Sequence, residues 1–307
     1  MKIDLSVAFD SNPYLIPQLY LYFYTLRDNL PKDWNIHMIT EKSTNDVNNI
    51  WWDLHDYEVG DFVSLKTLEN VKSKLSDGLK SRCRYLLNAV DIKPYGDWVV
   101  RTDLDFLWIN KLDKLESLLD GCDIVIQPEN RRIIDDDNIE LRLWKQIYRA
   151  MDIDVPKDKI RFIEDGRYGL PLYNTGFFMI KSELLSVLKE RWNKLTGVCE
   201  KWIDWNIHPN EFAMSAIIQD EGWKVKELPT WANFNPISMF RKGEFPSQQL
   251  VDNPIISSDV IGLHYHKPFW LKHLAKYNTS VQKIINSIKL NIPDDWWNLP
   301  LETYMEK

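Results

Sequence analysis

The chain reads as an α/β protein built on a mostly parallel sheet with helices on both faces. Three observations predict this class. Segments with a period of two alternate with segments of helical spacing through about the first 130 residues, a pattern that gives parallel strands joined by helical crossovers. The 307 residues are 44% hydrophobic, enough for one large core or two modest ones near the upper limit for a single domain, and a single unit over residues 1–307 is expected. It would have a first half over about 1–130 and an elaborated second half over about 131–307. An acidic pair, Asp103 and Asp105, directly follows an apolar strand, where open α/β sheets bind their ligands.

Each element follows in order. Ile3, Leu5, Val7 and Phe9 alternate with Asp4, Ser6 and Ala8, the period of a strand. After the turn residues DSNP, YLIPQLYLYFYTLRDNL has helical spacing, with Pro17 tolerated in a first turn. WNIHMIT and DFVSLK read as strands, residues 69–90 as a helix broken at SDG, DWVVRTD as a strand, KLESLL as a short helix and CDIVIQP as a strand. In the polar insertion NRRIIDDDNIE, the acidic triplet at residues 135–137 reads as a solvated cap for the helix LRLWKQIYRAMD. The strand LYNTGFFMIK, a helix from Ser182 and the helix NEFAMSAIIQD, opened by Pro209 and Asn210, come next. DVIGLHYHKPFW reads as a strand leaving the sheet, and VQKIINSIKL as a closing helix.

A net charge of −7 argues against nucleic-acid binding and requires any anionic ligand to be met locally, by a metal or a few placed cations. No apolar run approaches the roughly 20 residues of a membrane span. MKIDLSVAFD reads as a strand rather than a signal peptide, so a soluble cytoplasmic protein is expected. Cys83, Cys122 and Cys199 are widely spaced and odd in number, which suggests buried thiols rather than disulfides or a zinc site. The 14 Trp and 13 Tyr serve packing, yet in KWIDWNIHPNEF and HYHKPFW they stand beside polar residues, an arrangement that suits sugar rings.

Residues two apart on a strand share a side, so Asp103 and Asp105 would converge while Leu104 faces away. Two carboxylates in apolar surroundings need a counter-charge, and hard oxygen donors suit Mg²⁺ or Mn²⁺. The competing reading makes Asp105 a turn residue and pairs Asp103 with Arg101 or Arg84. LHYHKPFW sets His264 and His266 on one side of a strand and follows them with Lys267. Imidazole can ligate a transition metal and an ammonium can meet phosphate.

VAFDSNPY, SRCRYLL, RTDLDFLW, YNTGFFMIK and HYHKPFW occur in that order. Together, over residues 3–270, they resemble a GT-A-type glycosyltransferase, the metal-dependent kind that uses nucleotide-diphosphate sugars; the nearest pattern is the glycogenin and galactosyltransferase-like group. The resemblance implies a GT-A-like, Rossmann-type sheet with a donor-binding first half and an acceptor-binding second half. It implies Asp103, Asp105 and His264 as ligands of Mn²⁺ or Mg²⁺, with Lys267 at the diphosphate. Phe9, Asp10 and Tyr14 fall where the base and ribose sit, Arg84 where a basic residue steadies the donor, and Leu104 within the donor-binding motif. Asn174 and Thr175 would hydrogen-bond the donor sugar or the acceptor, with Gly176 permitting close approach and His208 and Asn210 nearby. The donor would be a UDP-sugar, with a GDP-sugar as the other possibility, and the acceptor a glycan or glycoconjugate. Two departures stand out: His264 lies only three residues before Lys267 with His266 adjacent to it, leaving either imidazole open as the ligand, and HPNEF replaces the family's D-Q element.

For an inverting transfer the acceptor hydroxyl needs a general base, and Glu211 is the expected one, with Asp204 and Asp165 in reserve. Glu211 could instead be a helix N-terminal acid facing the dipole. Trp205, Trp231 and Trp270 would stack on the acceptor or pack in the core. Replacing Asp103 or Asp105 by alanine should abolish transfer and leave the melt of the metal-free protein nearly intact. The other readings are a sugar-phosphate nucleotidyltransferase, for which FDSNPY lacks the glycine-rich phosphate loop, and a non-catalytic carbohydrate-binding protein.

Overall fold

The computed structural model describes residues 1–9, 16–40, 63–67, 89–129, 137–162, 166–202, 209–235, 260–266, 268–275 and 279–288. In chain order these form β1 (Ile3–Phe9), α1 (Ile16–Arg27), β2 (Asn35–Thr40), β3 (Val63–Thr67), β4 (Trp98–Thr102), β5 (Phe106–Trp108) and β6 (Ile124–Pro128). They continue with α2 (Asp137–Met151), β7 (Ile160–Arg161), β8 (Tyr168–Gly169), β9 (Tyr173–Lys181), α3 (Leu185–Cys199), α4 (Pro209–Asp220), β10 (Val225–Glu227), β11 (Gly262–His264), α5 (Pro268–Ala275) and α6 (Thr279–Ile288). The expected helix over residues 69–90 lies largely outside the described residues.

The central sheet has seven strands in the order β10-β6-β9-β4-β1-β2-β3. β9 alone runs antiparallel to its neighbours, so the sheet is mostly parallel as expected. Side chains of successive residues point to opposite faces, and both faces are covered. Val100, Phe177 and Met179 pack with Leu19, Tyr22 and Phe23 of α1 in one core. Val99, Phe178 and Ile180 pack with Trp144 of α2, Trp192 of α3 and Phe212 of α4 in the other. The period of two in β1 therefore does not separate core from solvent. Asp4 and Ser6 are fully buried, Asp4 accepting from His37 (2.8 Å) and the Tyr95 and Gly96 N–H groups (2.9 and 2.6 Å), and Ser6 donating to the Ala89 carbonyl (2.5 Å). These bonds replace the water the polar groups lose. Cys122 and Cys199 are buried thiols, and Cys83 lies outside the described residues.

DVIGLHYHKPFW supplies a strand outside the central sheet, as expected, but a shorter one. Among its described residues only Gly262–His264 forms a strand, pairing antiparallel with β5 in a separate two-stranded sheet, and Pro268 opens a helix. A third core holds this sheet, with Leu107, Leu263 and Tyr265 packed against Leu21 of α1, Leu271 of α5 and Val281 of α6. Among the described residues no helix is long and apolar enough to cross a membrane.

Candidate functional site

Because β9 runs against β4 and β6, its first residues lie beside their last ones: Phe177 faces Thr102 and Asn174 faces Gln127. The β6–β9 register jumps from Ile126↔Phe178 to Gln127↔Asn174, which leaves residues 175–177 without partners on β6. Such irregularities re-aim side chains at sheet rims. Four segments thus end together: Asp103 after β4, Glu129 after β6, Asn174–Thr175–Gly176 on β9, and Asn210 and Glu211 at the start of α4, which packs on β9 through Ser215 and the Tyr173 N–H (3.2 Å).

The two acids converge, though not by strand alternation. Residues 103–105 belong to neither strand; the chain bends between β4 and β5. The Asp103 N–H is held by the Gly176 carbonyl (2.7 Å) and the Tyr265 N–H by the Asp105 carbonyl (3.1 Å). Leu104 packs in the α1-side core, so its side chain does not line the site. His264 ends β11 opposite Phe106, with Nε2 3.2 Å from Asp105 Oδ1 and 3.9 Å from Asp103 Oδ2. His266 lies beyond the strand with Nδ1 3.9 Å from Asp105 Oδ2.

Asp103 also makes a structural contact, which bears on the expectation that its alanine variant melts like wild type. Its Oδ1 is 2.7 Å from Nη2 of Arg101, a guanidinium only 1% exposed whose Nη1 donates to the Thr175 carbonyl. Burial raises the Asp103 pKa despite the lowering effect of Arg101, and the Asp105 charge adds to the rise. Burial also acts to raise Asp105, but His264 and His266 outweigh it and hold the carboxyl at about 2. Burial depresses His264, and the two aspartates more than offset that, so its pKa is raised.

Asn174 accepts the Gly176 N–H at Oδ1 (2.9 Å) and donates from Nδ2 to Glu129 Oε2 (3.1 Å). Thr175 Oγ1 accepts from Asn210 Nδ2 (2.6 Å). Glu211 is 4% exposed, and burial, followed by its contact with Glu129, pushes its pKa well above the carboxylate range. Glu129 and Arg101 were not singled out from the sequence as site residues. Glu129 carried a legible signal, an acid directly after the apolar strand CDIVIQP, the same placement as Asp103 after β4.

Asp10, Tyr14, Arg84, His208, Lys267, Asp165, Asp204 and Trp205 lie outside the described residues. Phe9 ends β1 on the same rim, its side chain undescribed, as is that of Trp270 in α5. Trp231 packs against the α1-side core.

The donor set fits a divalent cation. Asp105, His264 and His266 offer ligand atoms all within 4.8 Å of one another. Nδ1 of His264 is buried without a hydrogen-bond partner among the described residues, while its Nε2 faces the two aspartates. A Cβ on Gly176 would stand 2.6 Å from His264 Cε1 and 2.9 Å from Asp103 Oδ2, so glycine keeps this space open.

The chain superposes along nearly its whole length on solved glycosyltransferases. The galactosyltransferase LgtC, solved in complex with donor and acceptor sugar analogs, matches at TM-score 0.59 and 14% identity, covering 97% of this chain and 99% of that one. The chain has a GT-A fold. Mouse xyloside xylosyltransferase 1 matches this GT-A fold at TM-score 0.51 and 15% identity, over 86% of this chain and 97% of that one. The glycosyltransferase GlyE of Streptococcus pneumoniae TIGR4 matches at 0.55 and 15% identity, over 94% of this chain and 62% of that one. No sequence-family profile and no curated protein matches the chain.

Proposed function

We propose that this GT-A protein is a metal-dependent glycosyltransferase that moves a sugar from a nucleotide-diphosphate donor to a hydroxyl of a glycan or glycoconjugate during glycan biosynthesis. One observation carries the reading: in a fold shared with sugar transferases, two carboxylates and a buried imidazole meet at the rim where α/β sheets bind ligands. Asp103, Asp105 and His264 hold Mn²⁺ or Mg²⁺, which when bound neutralises charge on the donor diphosphate. Arg101 keeps Asp103 in place by engaging Oδ1.

Residues 1–130 serve the donor, with Phe9, Asp10 and Tyr14 at the base and ribose, Arg84 at the phosphates and the Leu104 backbone beside them, and Lys267 from the second half joins Arg84 at the phosphates. Residues 131–307 serve the acceptor and the transferred sugar, through Asn174, Thr175, His208 and Asn210. In its ionised form Glu211, made the stronger base by its raised pKa, takes the acceptor proton as the new bond to the anomeric carbon forms, and the diphosphate leaves with the electron pair of the bond that breaks, giving inversion. A UDP-sugar is the favoured donor and the cytoplasm the setting, which agrees with the buried free thiols Cys122 and Cys199.

Calorimetric titration with UDP and GDP, with and without Mn²⁺, tests the reading, followed by a hydrolysis screen of nucleotide sugars. Mn²⁺-dependent nucleotide binding is expected. Binding of free sugar without nucleotide or metal would overturn it in favour of a carbohydrate-binding protein.

A further inference from the structure

We infer that His266 is a ligand of the same divalent ion, and that the resulting set of two imidazoles with aspartate oxygens selects a transition-metal ion over Mg²⁺. The inference rests on the metal-dependent reading above and goes beyond the acid pair and single histidine it invokes. Three observations carry it.

The first is backbone shape. His266 adopts φ 56°, one of two non-glycine residues among those described with positive φ. A histidine there costs conformational energy, which persists where surrounding structure demands it. In an extended strand, side chains at positions 264 and 266 would stand about 6.7 Å apart. The left-handed turn instead brings the ring centroids to 3.7 Å, inclined by 30°.

The second is donor spacing. First-row divalent ions bind nitrogen and oxygen at about 2.0–2.2 Å, so donors around one ion lie roughly 3–4 Å apart. The two oxygens of Asp105 face different rings, Oδ1 3.2 Å from His264 Nε2 and Oδ2 3.9 Å from His266 Nδ1, while Asp103 Oδ2 is 3.9 Å from His264 Nε2.

The third is the posture of Asp103. With Oδ1 drawn to the buried guanidinium of Arg101, it has one oxygen left for an ion. The second imidazole occupies the place a chelating carboxylate would otherwise fill. Mg²⁺ is served by carboxylates and water and gains little from imidazole, whereas affinity for nitrogen-containing sites rises from Mn²⁺ to Co²⁺.

Calorimetry with Mg²⁺, Mn²⁺ and Co²⁺, on the full chain without nucleotide, tests the assignment in wild type and His266→Asn. Asparagine tolerates the left-handed backbone, and a thermal melt of the metal-free proteins checks that the fold is retained. Wild type should prefer Co²⁺ and Mn²⁺ to Mg²⁺, and the variant should lose about tenfold or more in Co²⁺ affinity while Mg²⁺ changes less than about threefold. An unchanged Co²⁺-to-Mg²⁺ ratio in the variant overturns the role of His266 and leaves the metal reading standing; a wild type that binds none of the three ions overturns both. Electron spin-echo spectra of Mn²⁺-loaded wild type need no variant: couplings from two imidazole nitrogens support the inference, and one alone overturns it.

Discussion

Replacing Gly176 with alanine adds a single methyl group where the structure has no room for it. The new carbon would sit 2.6 Å from His264 Cε1, 2.9 Å from Asn174 Oδ1 and 2.9 Å from Asp103 Oδ2. Comfortable carbon–carbon contact is about 3.5–4.0 Å, so His264 or the β9 backbone must give by about 1 Å. Overpacking of this kind costs about 1–3 kcal/mol. Gly176 lies outside the left-handed region, so alanine also gains about 0.4–1 kcal/mol from a less flexible unfolded chain. Setting the gain against the cost leaves a destabilisation of up to about 2.6 kcal/mol, centred near 1.3 kcal/mol, which over 307 residues at about 2.1 cal/mol/K each lowers the melting temperature by about 2 °C. Metal donors must hold their positions to within about 0.2 Å, so a displaced imidazole should weaken Mn²⁺ binding by about tenfold or more. Gly197→Ala, inside α3 with nothing within 4 Å of its added Cβ, is the control and should stabilise by about 1 kcal/mol. Calorimetric melts and Mn²⁺ titration read both effects. A Gly176→Ala protein that melts no lower than wild type and binds Mn²⁺ equally well would refute the crowding argument.

Three further predictions follow from the acids. Asp105→Ala should abolish Mn²⁺ binding and donor hydrolysis, while Asp103→Ala should in addition lower stability by about 3 kcal/mol, because it leaves the buried Arg101 guanidinium without its carboxylate; equal melting points for the two variants would contradict that division of labour. Glu211→Gln should cut transfer about a hundredfold with donor binding retained, as loss of a general base implies. The same substitution should change the pH dependence of stability. A carboxyl whose pKa is raised in the folded state favours folding most at acid pH, and that contribution is lost as pH climbs through the raised value. Wild type should therefore lose stability relative to Glu211→Gln from about pH 4.5 upward, a trend that parallel melting curves across pH would disprove.

Individual residues show why some of this was legible in the sequence and some was not. YNTGFFMIK is nine residues of consistent strand character, and it forms β9 along its full length. DWVVRTD was equally clear as a strand, and Asp103 stands at its end as expected. β5 holds three residues, too short to display a period, and went unread, whereas the strand bearing His264 was read, over more residues than the three it holds. Asp103 and Asp105 both reach His264, but they stand in the bend after β4 and not on a strand whose alternation would align them.

Local pattern determined the fold class, the succession of most elements and the kinds of side chain gathered near the strand ends, because periodicity and turn chemistry act over a few residues. Tertiary structure decided which of those side chains meet. Antiparallel β9 sets Asn174 beside Glu129, buried Arg101 claims one oxygen of Asp103, and a left-handed turn lays His266 against His264. Each of these contacts joins positions fixed by sheet order or by a single backbone angle, quantities that depend on the packing of the whole chain.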